Sequence, residues 1–122
     1  MVEQTDIGER LLRFGTRVIK VVESLPKNLV GRTVGDRLLR SALSVGANFE
    51  EAQAAESKPD FVHKLQLALK ELREAGHWLR VITSADIVPK HRLVSLMDES
   101  NQLVAMLSKA VARTKGKAKD QA

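Results

Sequence analysis

The segment KLQLALKELREAGHWLRVI, residues 64–82, carries the side chains best suited to chemistry. It contains Glu71 and, one turn later, the sequence Glu74-Ala75-Gly76-His77. Carboxylate-bridged di-metal bundles use a Glu-x-x-His sequence on two helices and a further Glu on each of the other two. Two interpretations follow for these glutamates: they are metal ligands or a catalytic pair, or they are polar residues of an interface.

A metal centre is disfavoured by the rest of the chain. Glu50, Glu51 and Glu99 could supply further ligands, but the sequence has no second Glu-x-x-His. At about 100° per residue, Glu74 and His77 also point well away from the apolar face of their own segment. We therefore predict no metal and no cofactor, although a carboxylate/His metalloprotein stays the less favoured alternative.

A serine nucleophile is disfavoured as well. The segment of residues 33–56, the second of four predicted helices, carries a polar stripe with steps of four, three, four and three: Arg37, Ser41, Ser44, Asn48 and Glu51. No histidine lies on this segment, so a serine hydroxyl there would lack a neighbouring base. Small hydrogen-bonding side chains in one line are typical of a close helix contact. We predict no catalytic residues and no enzyme activity.

Apolar residues repeat at alternating steps of three and four, which is the period of one helix face. This pattern predicts four helices, over about residues 6–25, 33–56, 58–83 and 89–113. Ser57 is the expected N-cap of the third helix, since Pro59 follows it in the first turn. Four long helices with short connectors predict an all-α, up-down-up-down four-helix bundle.

The apolar stripes identify the predicted core. Its residues are Ile7, Leu11, Phe14, Val18, Val21 and Leu25 on helix one; Leu38, Ala42, Val45, Phe49 and Ala52 on helix two; Phe61, Leu65, Ala68, Leu72, Ala75, Leu79 and Ile82 on helix three; and Leu93, Leu96, Met97, Ser100, Val104, Leu107 and Val111 on helix four.

Composition bounds the class of protein. A chain of 122 residues without cysteine fits one domain and has no disulfide or thiolate chemistry. The N-terminus lacks an apolar targeting segment, and no run approaches the roughly 18 apolar residues of a membrane span. We predict a soluble, cytoplasmic protein without a membrane partner.

The positive charge is concentrated at the C-terminus. Residues 109–122 hold five basic residues and one acid, a net +4 of the chain's total of +5. We predict a bundle domain over residues 1–113 and a basic, disordered tail over 114–122, with Lys115, Lys117 and Lys119 available to phosphates. A tail of this kind is also a common solubility feature.

A second cationic group lies on helix one. Arg10, Arg13, Arg17 and Lys20 step by three, four and three beside the apolar face, and Arg37 and Arg40 add to them from helix two. Such a stripe predicts phosphate contacts with RNA or DNA. Aromatic residues are only 3% of the chain, so binding should follow the backbone rather than the bases. The alternative is a solvated charged face.

Two helices carry apolar side chains beside their main stripe. These are Leu12 and Ile19 on helix one and Leu67 and Trp78 on helix three. Apolar flanks of this kind predict burial against another copy of the chain. The alternative is that they cover the edges of a wide core.

Glu71 and Glu74 share the flank of Trp78. A carboxylate enclosed there requires a cation to offset its desolvation. The candidate cations are Lys64, Lys70 and Arg73 on the same helix and Arg37 and Arg40 on helix two. We therefore predict that the two glutamates belong to an interface or to an ion-pair seam between helices.

Three stretches carry a family resemblance: LLRSALSVGANFEEA, DFVHKLQLALKELREAGHWLRVI and LMDESNQLVAML. Together they closely resemble the bacterial four-helix-bundle family associated with intervening sequences in 23S rRNA genes. The matching residues are Arg40, Ser41, Ala42, Asn48 and Glu51, then Phe61, Ala68, Lys70, Glu71, Trp78 and Leu79, and finally Glu99. The resemblance covers about residues 10 to 110.

The resemblance implies a protomer that assembles into a ring, typically a pentamer, with no established catalytic activity. Relatives include accessory proteins of diversity-generating retroelements, which work with RNA and a reverse transcriptase. The expected partners are therefore other copies of the chain, RNA or DNA, and a protein such as a reverse transcriptase. Two hypotheses stay open: a nucleic-acid-associated oligomer, and a structural or partner-binding oligomer without nucleic acid.

Overall fold

The computed structural model describes the backbone of residues 2–121 and the side chains of residues 7–116. Its elements are α1 (Val2–Glu23), α2 (Leu29–Gln53), α3 (Lys58–Ser84) and α4 (Lys90–Gln121). No strand occurs within this range, and none of the four helices has a stretch apolar and long enough to span a bilayer. The predicted all-α architecture is confirmed.

The helices form a bundle in which sequence neighbours are also spatial neighbours. Each helix packs against the next one along the chain, and α1 closes the bundle against α4. The diagonal pairs, α1 with α3 and α2 with α4, are separated by the core. The α2–α3 contact is the most extensive and the α1–α4 contact the least, so the α1–α4 seam depends more on individual side chains.

The core follows the predicted stripes with a few exceptions. Phe14, Leu38, Leu72 and Leu107 are among its fully buried members. Four predicted core residues lie only at its edge: Val21, Phe61, Met97 and Val104. Conversely, Leu103 was not predicted and is fully buried. The buried face of α4 therefore includes Leu103, because α4 packs against both α1 and α3 rather than against α3 alone.

The second helix begins earlier than predicted. It starts at Leu29 rather than near Thr33, because the Asn28 side chain caps it by accepting a hydrogen bond from the Gly31 N–H at 2.9 Å. Gly31 belongs to the helix and not to the loop. A Cβ atom built on Gly31 would lie 1.9 Å from the Pro26 carbonyl oxygen, so this glycine allows the preceding turn to fold back closely.

The ends of α3 have well-defined caps. The Ser57 hydroxyl accepts a hydrogen bond from the Asp60 N–H at 3.2 Å, which confirms the predicted N-cap. At the other end, Asp86 has a φ of 55°, and the Ile87 N–H donates to the Ile82 carbonyl at 3.0 Å. This is the Schellman arrangement, here with an aspartate at the left-handed position that glycine usually occupies.

The fourth helix continues beyond its predicted end. Its backbone is helical from Lys90 to Gln121, so the predicted boundary at Arg113 is wrong. Three lysines, one alanine and one glutamine of residues 114–121 favour helix, and Gly116 disfavours it. The Lys117 and Lys119 side chains lie outside the described residues, and the division into a bundle domain and a basic tail stays a prediction.

Candidate interaction surfaces

Arg10, a predicted phosphate contact, instead joins α1 to α4. Its Nε donates to Glu99 Oε2 at 2.9 Å and its Nη2 to Glu99 Oε1 at 2.6 Å. The two side chains are only 19% and 20% exposed. The same guanidinium also donates to Gln102 Oε1 at 2.9 Å and to Met106 Sδ at 3.2 Å. The charge of Arg10 is therefore neutralised inside the protomer.

The pKa of Glu99 reflects this pairing. Hydrogen bonding from Arg10 lowers the pKa below its ordinary value, and the positive charges of Arg10, Arg17 and Arg13 act in the same direction. Partial burial opposes them by penalising the charged form. The carboxylate consequently stays ionised at neutral pH, where a bidentate pair with arginine is strongest.

The other cations of the α1 stripe differ in their surroundings. Arg17 Nη2 donates to Ser95 Oγ at 3.0 Å, which adds a second link across the α1–α4 seam. Lys20 lies 3.7 Å from Glu23 in an exposed pair. Arg13 is exposed and has neither a hydrogen bond nor an ion pair with a described residue. Arg13 is thus the stripe residue best placed for a ligand.

The remaining predicted phosphate contacts also divide into paired and unpaired groups. Arg40 is held by Asp36, with its Nε 2.9 and 3.0 Å from the two carboxylate oxygens. Arg37 and Lys115 are exposed, and their side chains make no hydrogen bond or ion pair with the described residues. Among the described members of the predicted set, Arg13, Arg37 and Lys115 are therefore exposed without a hydrogen bond or ion pair, whereas Lys20 and Arg40 are exposed but paired.

The flank that carries Leu12 and Ile19 faces α2. Leu12 is 69% exposed, and Leu43, across the groove on α2, is 46% exposed, whereas Ile19 is half-buried. A Cβ on Gly15 would lie 3.5 Å from Leu43 Cδ2. The glycine on this side of α1 therefore serves the contact with α2 of the same protomer, and Leu12 projects beyond it into solvent.

The flank that carries Leu67 and Trp78 lies on the α2 side of α3. Lys64, Glu71 and Trp78 are spaced by seven residues and so share one flank. The 3.1 Å ion pair between Lys64 Nζ and Glu51 Oε1 of α2 shows that this flank of α3 faces α2. Trp78 packs against the core, and its Nε1–H is buried without a hydrogen-bond acceptor. Leu67 is half-buried.

The predicted ion pairs of Glu71 and Glu74 are absent. Within the described residues, neither carboxylate lies in an ion pair or hydrogen bond. Lys64 is drawn to Glu51 instead, because the start of α3 lies beside the end of α2. Glu74 and Lys70 are exposed, whereas Glu71 is half-buried. The ion-pair interpretation is wrong for the single protomer, and the interface interpretation stays a prediction.

Two side chains of the polar stripe of α2, Ser41 and Asn48, are bonded to the backbone of their own helix. The Ser41 hydroxyl donates to the carbonyl oxygens of Arg37 at 2.9 Å and Leu38 at 3.1 Å. Asn48 Nδ2 donates to the Ser44 carbonyl at 2.9 Å. Ser41 is 1% exposed, so its hydroxyl is both inaccessible and committed to the helix backbone.

The Glu-x-x-His sequence lies on the outside of the bundle. Glu74 and His77 are both exposed, and the His77 ring packs edge-on against Trp78 with ring centroids 5.1 Å apart. Over the part of the chain that the structure describes, no three His, Asp or Glu side chains are grouped closely enough to hold a metal ion.

Two surface grooves separate neighbouring helices. The α1–α2 groove, about 450 Å³, contains acids and bases together: Glu23, Lys27, Arg32 and Asp36. The α3–α4 groove, about 380 Å³, is lined by Arg73, His77 and Arg80 and by no carboxylate. This group of three residues is not among the sites predicted from the sequence, although its spacing of four and three on α3 places the three side chains on a shared flank.

The comparisons with known proteins agree with this architecture. A crystal structure of a protein of unknown function from the S23 ribosomal protein family of Bacteroides thetaiotaomicron VPI-5482 superposes with a TM-score of 0.84 at 26% identity, covering 90% of this chain and 98% of that one. Curated proteins provide no match. The sequence profile of the 23S rRNA-intervening sequence protein family matches residues 3–109 of this chain. The chain therefore belongs to the 23S rRNA-intervening sequence protein family.

Proposed function

We propose that this protein is a non-enzymatic homo-oligomer, a pentameric ring, that associates with RNA through its basic surface. The observation that carries the nucleic-acid part is the accessibility of Arg13 and Arg37. Both guanidinium groups are exposed, and neither is hydrogen-bonded or ion-paired within the described residues. Oligomer symmetry multiplies such cations around one particle, and phosphate contacts of this kind dominate affinity for nucleic acid.

The oligomeric part is supported by the two apolar flanks. Leu12 projects from one flank with 69% of its surface exposed, and Leu67 and Trp78 are half-buried on the other. A neighbouring protomer that covers these side chains would bury their remaining apolar surface.

A structural or partner-binding oligomer without nucleic acid is the second candidate. It is favoured by the neutralisation of Arg10, a predicted phosphate contact, by Glu99 in a largely buried pair. Arg40 is also paired, with Asp36, but both side chains are exposed. Under this alternative, the surface charge serves solubility and the partner is a protein such as a reverse transcriptase.

Retention of a structured RNA at several salt concentrations separates the two candidates. Each phosphate contact releases condensed counterion, so the logarithm of affinity should fall linearly with the logarithm of salt concentration. Removal of residues 114–122, which takes away Lys115, Lys117 and Lys119, should weaken binding and make the slope shallower. Absence of retention by the intact protein at about 50 mM salt, where electrostatic binding is strong, would favour the structural candidate.

A further inference from the structure

The groove between α3 and α4 carries positive charge without a counterion. Arg73 and Arg80 line it with exposed guanidinium groups, and neither group is hydrogen-bonded or ion-paired within the described residues. His77 lies between them on the same helix. No aspartate or glutamate lines this groove, in contrast to the α1–α2 groove, whose lining includes Glu23 and Asp36.

We propose that the α3–α4 groove seats the phosphate backbone of an RNA strand, with Arg73 and Arg80 contacting two phosphates of that strand. This inference rests on the nucleic-acid association proposed above and specifies where the strand lies. Arg13 and Arg37 supply further phosphate contacts, whereas Arg73 and Arg80 fix the position of the strand. Neither arginine belongs to the stripe that the sequence identified.

The spacing of the two arginines suits a nucleic-acid strand. Arg73 and Arg80 are seven residues apart, so their Cα atoms lie about 10 Å apart along the helix and their side chains project on one flank. Two guanidinium groups at this separation can contact different phosphates of the same strand. Arginine binds phosphate with two parallel N–H donors, which fixes the position of the strand.

The groove is shallow at the level of Gly76 and Ser100, because these small residues allow α3 and α4 to approach each other closely. A Cβ on Gly76 would lie 3.2 Å from Ser100 Oγ, so α3 approaches α4 closely at this level. Ser100 is 2% exposed, and the neighbouring Asn101 is exposed at the rim. The amide of Asn101 can donate to a phosphate or accept from a ribose hydroxyl.

Other ligand classes fit this groove less well. An open groove between two helices cannot enclose a small molecule, as a ligand pocket does. An acidic protein partner would need an apolar anchor at the centre of its contact. The lining includes the apolar residues Leu72, Met97 and Val104, but Leu72 is buried and the other two are half-buried, so none of them projects as an exposed anchor. Trp78 lies outside the lining, and His77 is the aromatic ring of the lining on which a base could stack.

A pair of charge-matched double variants tests the site in the full chain. The groove variant is Arg73→Gln with Arg80→Gln, and the control is Lys27→Gln with Arg92→Gln, at two cations outside the groove and outside the proposed binding residues. Each variant removes two exposed cations whose side chains have no hydrogen bond or ion pair within the described residues, so neither should change helix content or sedimentation. Binding of a fluorescent RNA hairpin with a stem of about 20 base pairs is measured by anisotropy from about 50 to 200 mM salt.

The groove variant should bind at least tenfold more weakly at about 50 mM salt, and its salt slope should be shallower by roughly 1.4 to 1.8, corresponding to two lost phosphate contacts. The affinity of the control for RNA should fall by at most about threefold. Its charges lie outside the groove and act on the RNA only through an electrostatic field that salt screens. Equal losses in the two variants, with intact RNA binding by the wild type, would overturn the groove site and leave the proposed function standing.

Two competing probes distinguish the remaining outcomes. Inorganic tripolyphosphate should shift the amide resonance of Gly76 in the wild type and not in the groove variant. If it does so while the wild type fails to bind the hairpin, the groove binds anions but the RNA strand is rejected as its occupant. If polyglutamate of equal charge displaces the hairpin as well as unlabelled RNA does, an acidic polypeptide is the better occupant and the proposal is overturned.

Discussion

Glu99 shows how one carboxylate closes the weakest seam of the bundle. It lies on α4 and accepts two hydrogen bonds from Arg10 of α1, where the contact between helices is least extensive. Substitution of a glutamate by glutamine keeps the shape and removes the charge. The Glu99→Gln substitution therefore measures how much a largely buried ion pair contributes to the free energy of unfolding.

We expect Glu99→Gln to lower the free energy of unfolding by about 1 to 2 kcal/mol at neutral pH. Because the folded-state pKa of Glu99 lies below its ordinary value of 4.5, this stabilisation is present in full above pH 4.5. It is lost as the pH falls through the lower pKa of the folded state. Urea unfolding of wild type and variant at pH 7 and at pH 3, at one protein concentration, should show the difference shrinking.

Glu23→Gln is the matched control for this measurement. Its partner Lys20 is 3.7 Å away, and the two side chains are 64% and 83% exposed. An exposed pair of this kind contributes little, so the loss should stay below about 0.5 kcal/mol at both pH values. A loss from Glu99→Gln that does not depend on pH would contradict an origin in the charge.

Asp86 occupies a backbone conformation that suits glycine better. Its φ of 55° is left-handed, and its carboxylate lies at the negative end of the α3 dipole. Asp86→Gly should therefore raise the free energy of unfolding by about 0.5 to 1 kcal/mol, measured by urea titration. Ala85→Gly, one position earlier at a φ of −89°, should lower it by a similar amount. Stabilisation by both variants would exclude the conformational explanation.

At the scale of elements, the turn between α1 and α2 is determined by contacts that a periodic pattern does not contain. Asn28 caps α2, and Gly31 in its first turn allows the Pro26 carbonyl to approach. The sequence PKNLVGR predicts a connector, and the structure shortens it, because the capping side chain makes the segment from Leu29 helical. Helix boundaries depend on such local hydrogen bonds rather than on apolar spacing.

Two glycines of α2 should respond in opposite directions to alanine. Gly31→Ala places a Cβ 1.9 Å from a backbone oxygen and should destabilise the fold by more than about 2 kcal/mol. Gly46→Ala meets no atom within 4 Å and should stabilise it by about 0.5 to 1 kcal/mol, because alanine is the better helix former. Thermal unfolding of both variants at equal concentration tests this. A neutral Gly31→Ala would show that the turn repacks.

At the scale of the whole molecule, the prediction of a closed homo-oligomer is tested through the apolar flanks. Leu12→Lys with Leu67→Lys places charge on both of them and should convert the wild-type oligomer into smaller species by sedimentation velocity at micromolar concentration. Val94→Lys, at a residue that is 51% exposed on α4 and outside both flanks, is the control. A monomeric wild type, or equal dissociation by the control, would contradict the prediction.

The sequence alone determined the elements of this protein and the faces that they bury. Stripes such as Ile7, Leu11, Phe14 and Val18 identify one side of a helix, because a period of 3.6 residues is a local property of the chain. The Ser57 cap is predictable for the same reason, since its acceptor and donor lie three residues apart. The family resemblance adds the expected assembly, again from local motifs.

Only the tertiary structure decided which polar residues meet. Arg10 and Glu99 are separated by 89 positions, so no periodic pattern could reveal that a predicted phosphate contact is an internal ion pair. The same holds for Lys64, which the sequence placed beside Glu71 and the structure places against Glu51. Arg73 and Arg80 became a candidate site only when α4 supplied the second wall of their groove. Which partner a long side chain contacts on a neighbouring helix depends on how the two helices are rotated and how closely they pack in the bundle.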